Sequence, residues 1–69
     1  MARQLVIFDL FTNNVKEAFL NGGFSEPDYQ GRVDCIFDPD LTVLEGKVPL
    51  KYWKHDKGTF VEMVQIEKD

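Results

Sequence analysis

Cys35 and His55 are the only thiol and the only imidazole in the chain. Such a pair can act as nucleophile and base, the thiolate attacking while the imidazole takes and returns a proton. Cys35, however, alternates with the apolar Val33 and Phe37, which marks it as a buried small hydrophobe. His55 abuts an expected turn, so the two read as a core thiol and a surface imidazole. Asp34, Asp38, Asp40 and Glu45 could gather oxygens around a hard cation. Their spacing lacks the central glycine of a twelve-residue calcium loop, and Asp38 and Asp40 flank Pro39, where aspartate serves a turn by bonding to the backbone. One cysteine and one histidine cannot build a tetrahedral zinc site. No glycine loop precedes an expected helix, so no phosphate cradle is present. The residues imply no catalytic set, no metal and no cofactor, and the chain reads as a non-enzyme.

The run Val6-Ile7-Phe8-Asp9-Leu10 resembles the opening strand of haloacid-dehalogenase-like phosphatases. In that family a buried strand delivers a nucleophilic aspartate, and a second aspartate two positions on transfers the proton. Here that second position is Phe11, and the chain is too short for the family's sheet. The resemblance implies no activity.

Binding chemistry is better represented. Lys51-Tyr52-Trp53-Lys54-His55-Asp56-Lys57-Gly58 holds the only tryptophan and interleaves aromatics with cations, a mixture that binding surfaces use. As a protein contact, Trp53, Val61 and Met63 would be anchors, with Lys51 and His55 at the rim. As a single-strand nucleic-acid contact, Tyr52 or Trp53 would stack on bases while Lys51, Lys54 and Lys57 held phosphates. The net charge of −4 and a pI of about 4.8 count against the second reading, because nucleic-acid binders are typically basic throughout. Charge is also uneven: Glu26, Asp28, Asp34, Asp38, Asp40 and Glu45 face only Arg32 across residues 26–45, whereas four lysines crowd residues 46–58.

These residues must be positioned by very little chain. Sixty-nine residues form one small domain over 1–69, burying about 60% of its unfolded surface. With 43% hydrophobic and 29% charged residues it has the composition of a folded chain. No internal disulfide is available, so the core must pack efficiently or be helped by a partner, either another protein or a second copy in a homo-oligomer. No span is long enough to cross a membrane, nothing resembles an export signal, and the free thiol suits the cytosol.

Residues 5–11 read as a strand buried on both faces, being short and almost continuously apolar. Residues 13–23 read as a short helix: Asn14 as cap, Glu17 completing a capping box, Val15, Ala18 and Phe19 at helical spacing, Gly22 as stop. A loop over 24–31 leads to a strand over 32–38, and a third strand starts at 41–44, with Gly46 as a bulge. Residues 48–55 and 59–67 read as a terminal hairpin around Asp56-Lys57-Gly58, a type I turn closed by a left-handed glycine. That register sets Trp53 opposite Val61, Lys51 opposite Met63 and His55 opposite Thr59 on one face. It sets Leu50 opposite Val64, Tyr52 opposite Glu62 and Lys54 opposite Phe60 on the other.

The expected fold is α+β: a small antiparallel sheet of about five strands with one short helix after the first, or the same elements as a partly open five-stranded barrel. The expected function is a non-catalytic cytoplasmic interaction protein (a regulator, adaptor or inhibitor) binding a protein partner through the apolar and basic hairpin face. A nucleic-acid-binding module is the alternative.

Overall fold

A computed structural model of the chain describes residues 3–68. Its centre is β1 (Leu5–Phe8), four consecutive apolar residues that are all buried. β1 lies between β2 (Val15–Phe19) and β3 (Cys35–Phe37) in an antiparallel sheet of order β2-β1-β3. Side chains alternate across a strand, so a continuous apolar run needs cover on both faces. Both are covered. Val6 and Phe8 pack into the main core with Leu41, Leu44, Trp53 and Phe60. Leu5, paired with Phe19 and Phe37, lies on the side where those two rings meet Phe24 and Tyr29.

The segment expected to be a helix is β2. The cause is a bulge: Ile7 pairs with Glu17 but Phe8 pairs with Val15, leaving Lys16 as an extra residue. One inserted residue turns the strand spacing of two into three, so Val15 and Ala18 reach the same core face. That spacing imitates a helical stripe. Asn14 caps no helix; its amide donates to Thr12 Oγ1 instead. The helix in this part of the chain is α1 (Glu26–Tyr29), a single turn after β2, with Pro27 in its first turn, where a missing N–H costs nothing.

The expected third strand is also absent. Residues 41–48 make helical turns, with Glu45 N–H donating to Leu41 O (2.8 Å) and Val48 N–H to Leu44 O (2.9 Å). Asp40 caps the start, its Oδ1 accepting from the Thr42 amide and hydroxyl. Leu41 and Leu44, three apart, then share one face and are buried. Gly46 sits at φ 77° as a turn residue and makes no strand bulge.

After a 3₁₀ turn (Leu50–Tyr52), β4 (Trp53–Asp56) and β5 (Thr59–Glu62) form a hairpin, followed by α2 (Gln65–Lys68). Its loop has two residues, Lys57 at φ 51° and Gly58 at φ 88°. Two left-handed residues make a type I′ turn, whose twist matches that of the strands. Asp56 therefore pairs with Thr59, His55 with Phe60, Lys54 with Val61 and Trp53 with Glu62, one residue away from the expected register. A one-residue slip exchanges the faces of one strand relative to the other. Phe60 joins Trp53 and His55, and Val61 leaves them.

The architecture is thus α+β, with antiparallel sheets of three and two strands and two four-residue helices. Instead of one five-stranded sheet or barrel, the two hairpins meet at the Asn14–Lys54 bridge, where His55 N–H donates to Asn13 O at 2.7 Å.

Candidate interaction surface

The residues expected to form a binding face on the last hairpin do not do so. Trp53 is 2% exposed, inside the core, and its Nε1 donates to Val48 O at 2.9 Å. Met63 is 6% exposed. Val61 is half-buried and stands with Lys54, away from Trp53. His55 lies parallel to the Phe8 ring at 3.9 Å, and its Nε2 accepts from the Gly58 amide at 3.1 Å. Of the five, Lys51 alone is exposed. Trp53 is therefore a core residue, because the type I′ register turns its side toward Phe8 and Phe60, whereas Met63 is buried on the other side of the strand, with Val61 and Tyr52. The stacking set fares similarly. Trp53 offers no face to a base, and the Lys51 and Lys68 ammonium groups lie over the Tyr52 ring at 5.1 and 4.9 Å. Lys54 Nζ is 2.5 Å from Glu67 Oε2, and Lys57 forms the turn. Trp53 fluorescence should accordingly be blue-shifted and resist quenching by iodide in the native protein; emission typical of hydrated indole would contradict this packing.

The catalytic candidates are also dispersed. Cys35 pairs with Ile7, whereas His55 stacks on Phe8, and adjacent residues of β1 point to opposite faces. The sheet stands between thiol and imidazole. Cys35 Sγ donates to Tyr29 O at 3.6 Å, and burial raises the thiol pKa, with the neighbouring Asp34 adding to the rise. Since the thiolate is the reactive form, Cys35 should react with a neutral disulfide reagent at pH 8 at least tenfold more slowly in the folded than in the denatured chain. Equal rates would show an open thiol.

Asp34 is forked to Arg32 (2.9 and 2.6 Å), which holds its carboxyl below the usual range. Asp38 lies at the other end of β3, accepting from the Gln4 amide and Arg3, and Asp40 is the Thr42 cap. Glu45 accepts from Gln4 Nε2 at 3.4 Å. Among the described residues no three His, Cys, Asp or Glu side chains converge as metal ligands, and no cavity is enclosed.

The surface that does stand out is the loop joining β1 to β2. Asp9 Oδ1 accepts from the Phe11 amide (2.7 Å) and the Thr12 amide (3.1 Å). These bonds, Thr12 first, depress the Asp9 pKa. Asp9 O accepts from Asn13 N–H (2.8 Å), and Asp9 N–H donates to Asn14 O (2.9 Å). Asn13, at φ 67°, closes the turn, a left-handed position that asparagine tolerates. The Asn13 carbonyl is in turn held by His55. On this tethered loop Phe11 is 97% exposed and Leu10 56%.

Val33, 75% exposed, belongs to the same end of the molecule, because the next residue, Asp34, accepts from the Phe8 amide. The turn Lys57-Gly58 lies there too, since His55 adjoins Asn13. The charges are mixed. Asp9 accepts two backbone donors on Oδ1, Asp34 is forked to Arg32, and Lys16 acts on both carboxylates. The sequence signal for this site was available: an Asp followed by small polar turn formers, Thr12-Asn13-Asn14, around Leu10-Phe11. A helical spacing beginning at Val15 obscured it. No family model, no characterised protein sequence and no solved structure matches the chain.

Proposed function

We propose that this chain is a non-catalytic interaction protein that seats the Leu10-Phe11 loop in an apolar pocket of a protein partner. The observation that carries the proposal is Phe11. A fully exposed phenylalanine contributes nothing to the fold, and hydration of its ring is unfavourable by roughly 2 kcal/mol relative to burial. Exposed single hydrophobes are common; an aromatic held out on a loop with five internal hydrogen bonds is less so. A rigid aromatic loses little entropy on binding, which is the property of an interface hot spot. Leu10 and Val33 extend the apolar contact. The charges around them balance and the whole chain is acidic, which favours a protein pocket over a polyanion.

The interaction-protein expectation is kept, and its contact moves from the last hairpin to the first. A photo-crosslinking phenylalanine analogue at position 11, in the cells that make the protein, should give one dominant protein adduct. Excess wild-type chain should suppress that adduct, whereas the Phe11→Ala chain should not. The reading fails if position 11 gives the same adducts as the exposed control position Val43, or if Phe11→Ala competes equally well. Phe11→Ala should leave thermal stability within about 0.5 kcal/mol of wild type, as surface substitutions do.

A further inference from the structure

An independent feature lies on the opposite edge of the three-stranded sheet from β2. β3 pairs with β1 on one side only. Phe8 N–H donates to Asp34 O and Asp38 N–H to Gln4 O, each at 2.9 Å. In an antiparallel ladder the residues that bond inward alternate with those that bond outward. Asp34, Ile36 and Asp38 thus face β1, while Cys35 and Phe37 turn their N–H and C=O outward. Among the described residues these four outward groups meet no hydrogen-bond partner. Exposed edges are guarded by shortness, by charged side chains, lysine above all, by proline or by a bulge. β3 is short and flanked by Asp34 and Asp38, but its own three residues, Cys-Ile-Phe, are not charged. The edge of β5 differs: Glu62 lies on it and is paired with Lys68.

We infer that β3 is a pairing edge for a second copy of this chain, joined antiparallel about a twofold axis through Ile36. The geometry is self-complementary. Cys35 of each copy would face Phe37 of the other, and each such pair exchanges two N–H···O bonds, giving four in all. Ile36 would meet its own counterpart at the axis. Asp34 would stand opposite Asp38 of the second copy, which would repel if either were free. Instead Asp34 is held by Arg32, and Asp38 by Arg3, which it shares with Glu26, so charges of both signs come together. The result is one continuous six-stranded sheet. A contact this short is small by the standard of stable interfaces, so the dimer is concentration-dependent.

Sedimentation velocity over a concentration series, combined with amide hydrogen exchange by NMR, tests the inference. The chain should shift from monomer to dimer. In the same range exchange should slow at the Cys35 and Phe37 amides and remain unchanged at Phe60 and Glu62. A synthetic chain N-methylated at Phe37, assembled by ligation at Cys35, loses one outward donor per copy and no bond of the native fold. It should retain the native circular dichroism and dimerise about thirtyfold more weakly or worse. A chain that stays monomeric to its solubility limit overturns the inference. So does a dimer that leaves the Cys35 and Phe37 amides unprotected, or one that forms equally well after N-methylation.

Discussion

Trp53→Ala is expected to unfold the protein, with any loss of binding following from that. Removing a buried large aromatic costs about 3–5 kcal/mol, and the Val48 carbonyl would lose its donor as well. A domain of 69 residues has a total stability of roughly 3–10 kcal/mol. The variant should therefore lose its cooperative transition in urea, or show a midpoint near zero denaturant. Phe11→Ala, read by the same circular dichroism titration, should be almost indistinguishable from wild type. The contrast separates a residue spent on the fold from one left for a partner. If Trp53→Ala keeps its midpoint and Phe11→Ala loses it, both assignments are wrong.

The second large effect is expected at Arg3. Its guanidinium bonds Asp38 (Nε to Oδ2, 2.9 Å), pairs with Glu26 and lies over the Phe37 ring at 4.8 Å. One side chain thereby ties the entry to β1, the end of β3 and the start of α1 together. Arg3→Ala would remove these contacts together and leave the Glu26 and Asp38 carboxylates to solvent. Exposed ion pairs and an exposed cation–ring contact each contribute up to about 1 kcal/mol, so the expected loss is about 1–2 kcal/mol.

The pH dependence has a definite sign. Asp38 is depressed first by the Gln4 amide and then by Arg3, and Asp9, Asp34, Asp40 and Glu67 are depressed as well. A depressed carboxylate contributes stability above its unfolded pKa, near 4, and loses it as pH falls through the folded value. Wild-type stability should thus decline below about pH 4. The deficit of Arg3→Ala should be largest at neutral pH and shrink in acid, measured as the difference in urea midpoint. A deficit that is constant from neutral to strongly acidic pH would mean Arg3 acts through packing alone.

Much of the scaffold was legible in the sequence. The strand expected over residues 5–11 is present and covered on both faces over Leu5–Phe8, but it stops there, and Leu10 and Phe11 leave it for an exposed loop. The position of the last turn was marked by Lys57-Gly58, whereas Cys35, expected in the core beside Val33 and Phe37, is half-buried and Val33 is 75% exposed. The errors came from places where a single residue changes the phase. Lys16 is an extra residue in β2, and it made a bulged strand look helical. Leu41 and Leu44 are three apart, but Leu41-Thr42-Val43-Leu44 also satisfies strand alternation through Leu41 and Val43; Asp40 decided the matter by capping a helical turn.

In the terminal hairpin the choice between a two- and a three-residue loop moved the register by one, which was enough to bury Trp53 with Phe60 and release Val61. The binding face inferred from that register dissolved with it. Arg3 and Asp38 are 35 residues apart, and no local pattern announces their contact. The exposure of Phe11 ran against its place in an apolar run: residues 9–11 continue the pattern of β1, but Asp9 ends the strand by accepting from the Phe11 and Thr12 amides.

The bridge between Asn14 and Lys54 has a bearing on how the chain reaches this structure. Each hairpin closes over a short loop and is able to form by itself within microseconds. β3 can join β1 only after more than two dozen residues have been drawn into a ring, an entropic cost that rises with separation. Until then β1 is a bare apolar strand with one edge open. The docking of the two hairpins at Asn14 and Lys54, about 40 residues apart, closes a longer ring still, so the chain is most prone to aggregate until both β3 and the terminal hairpin have covered β1.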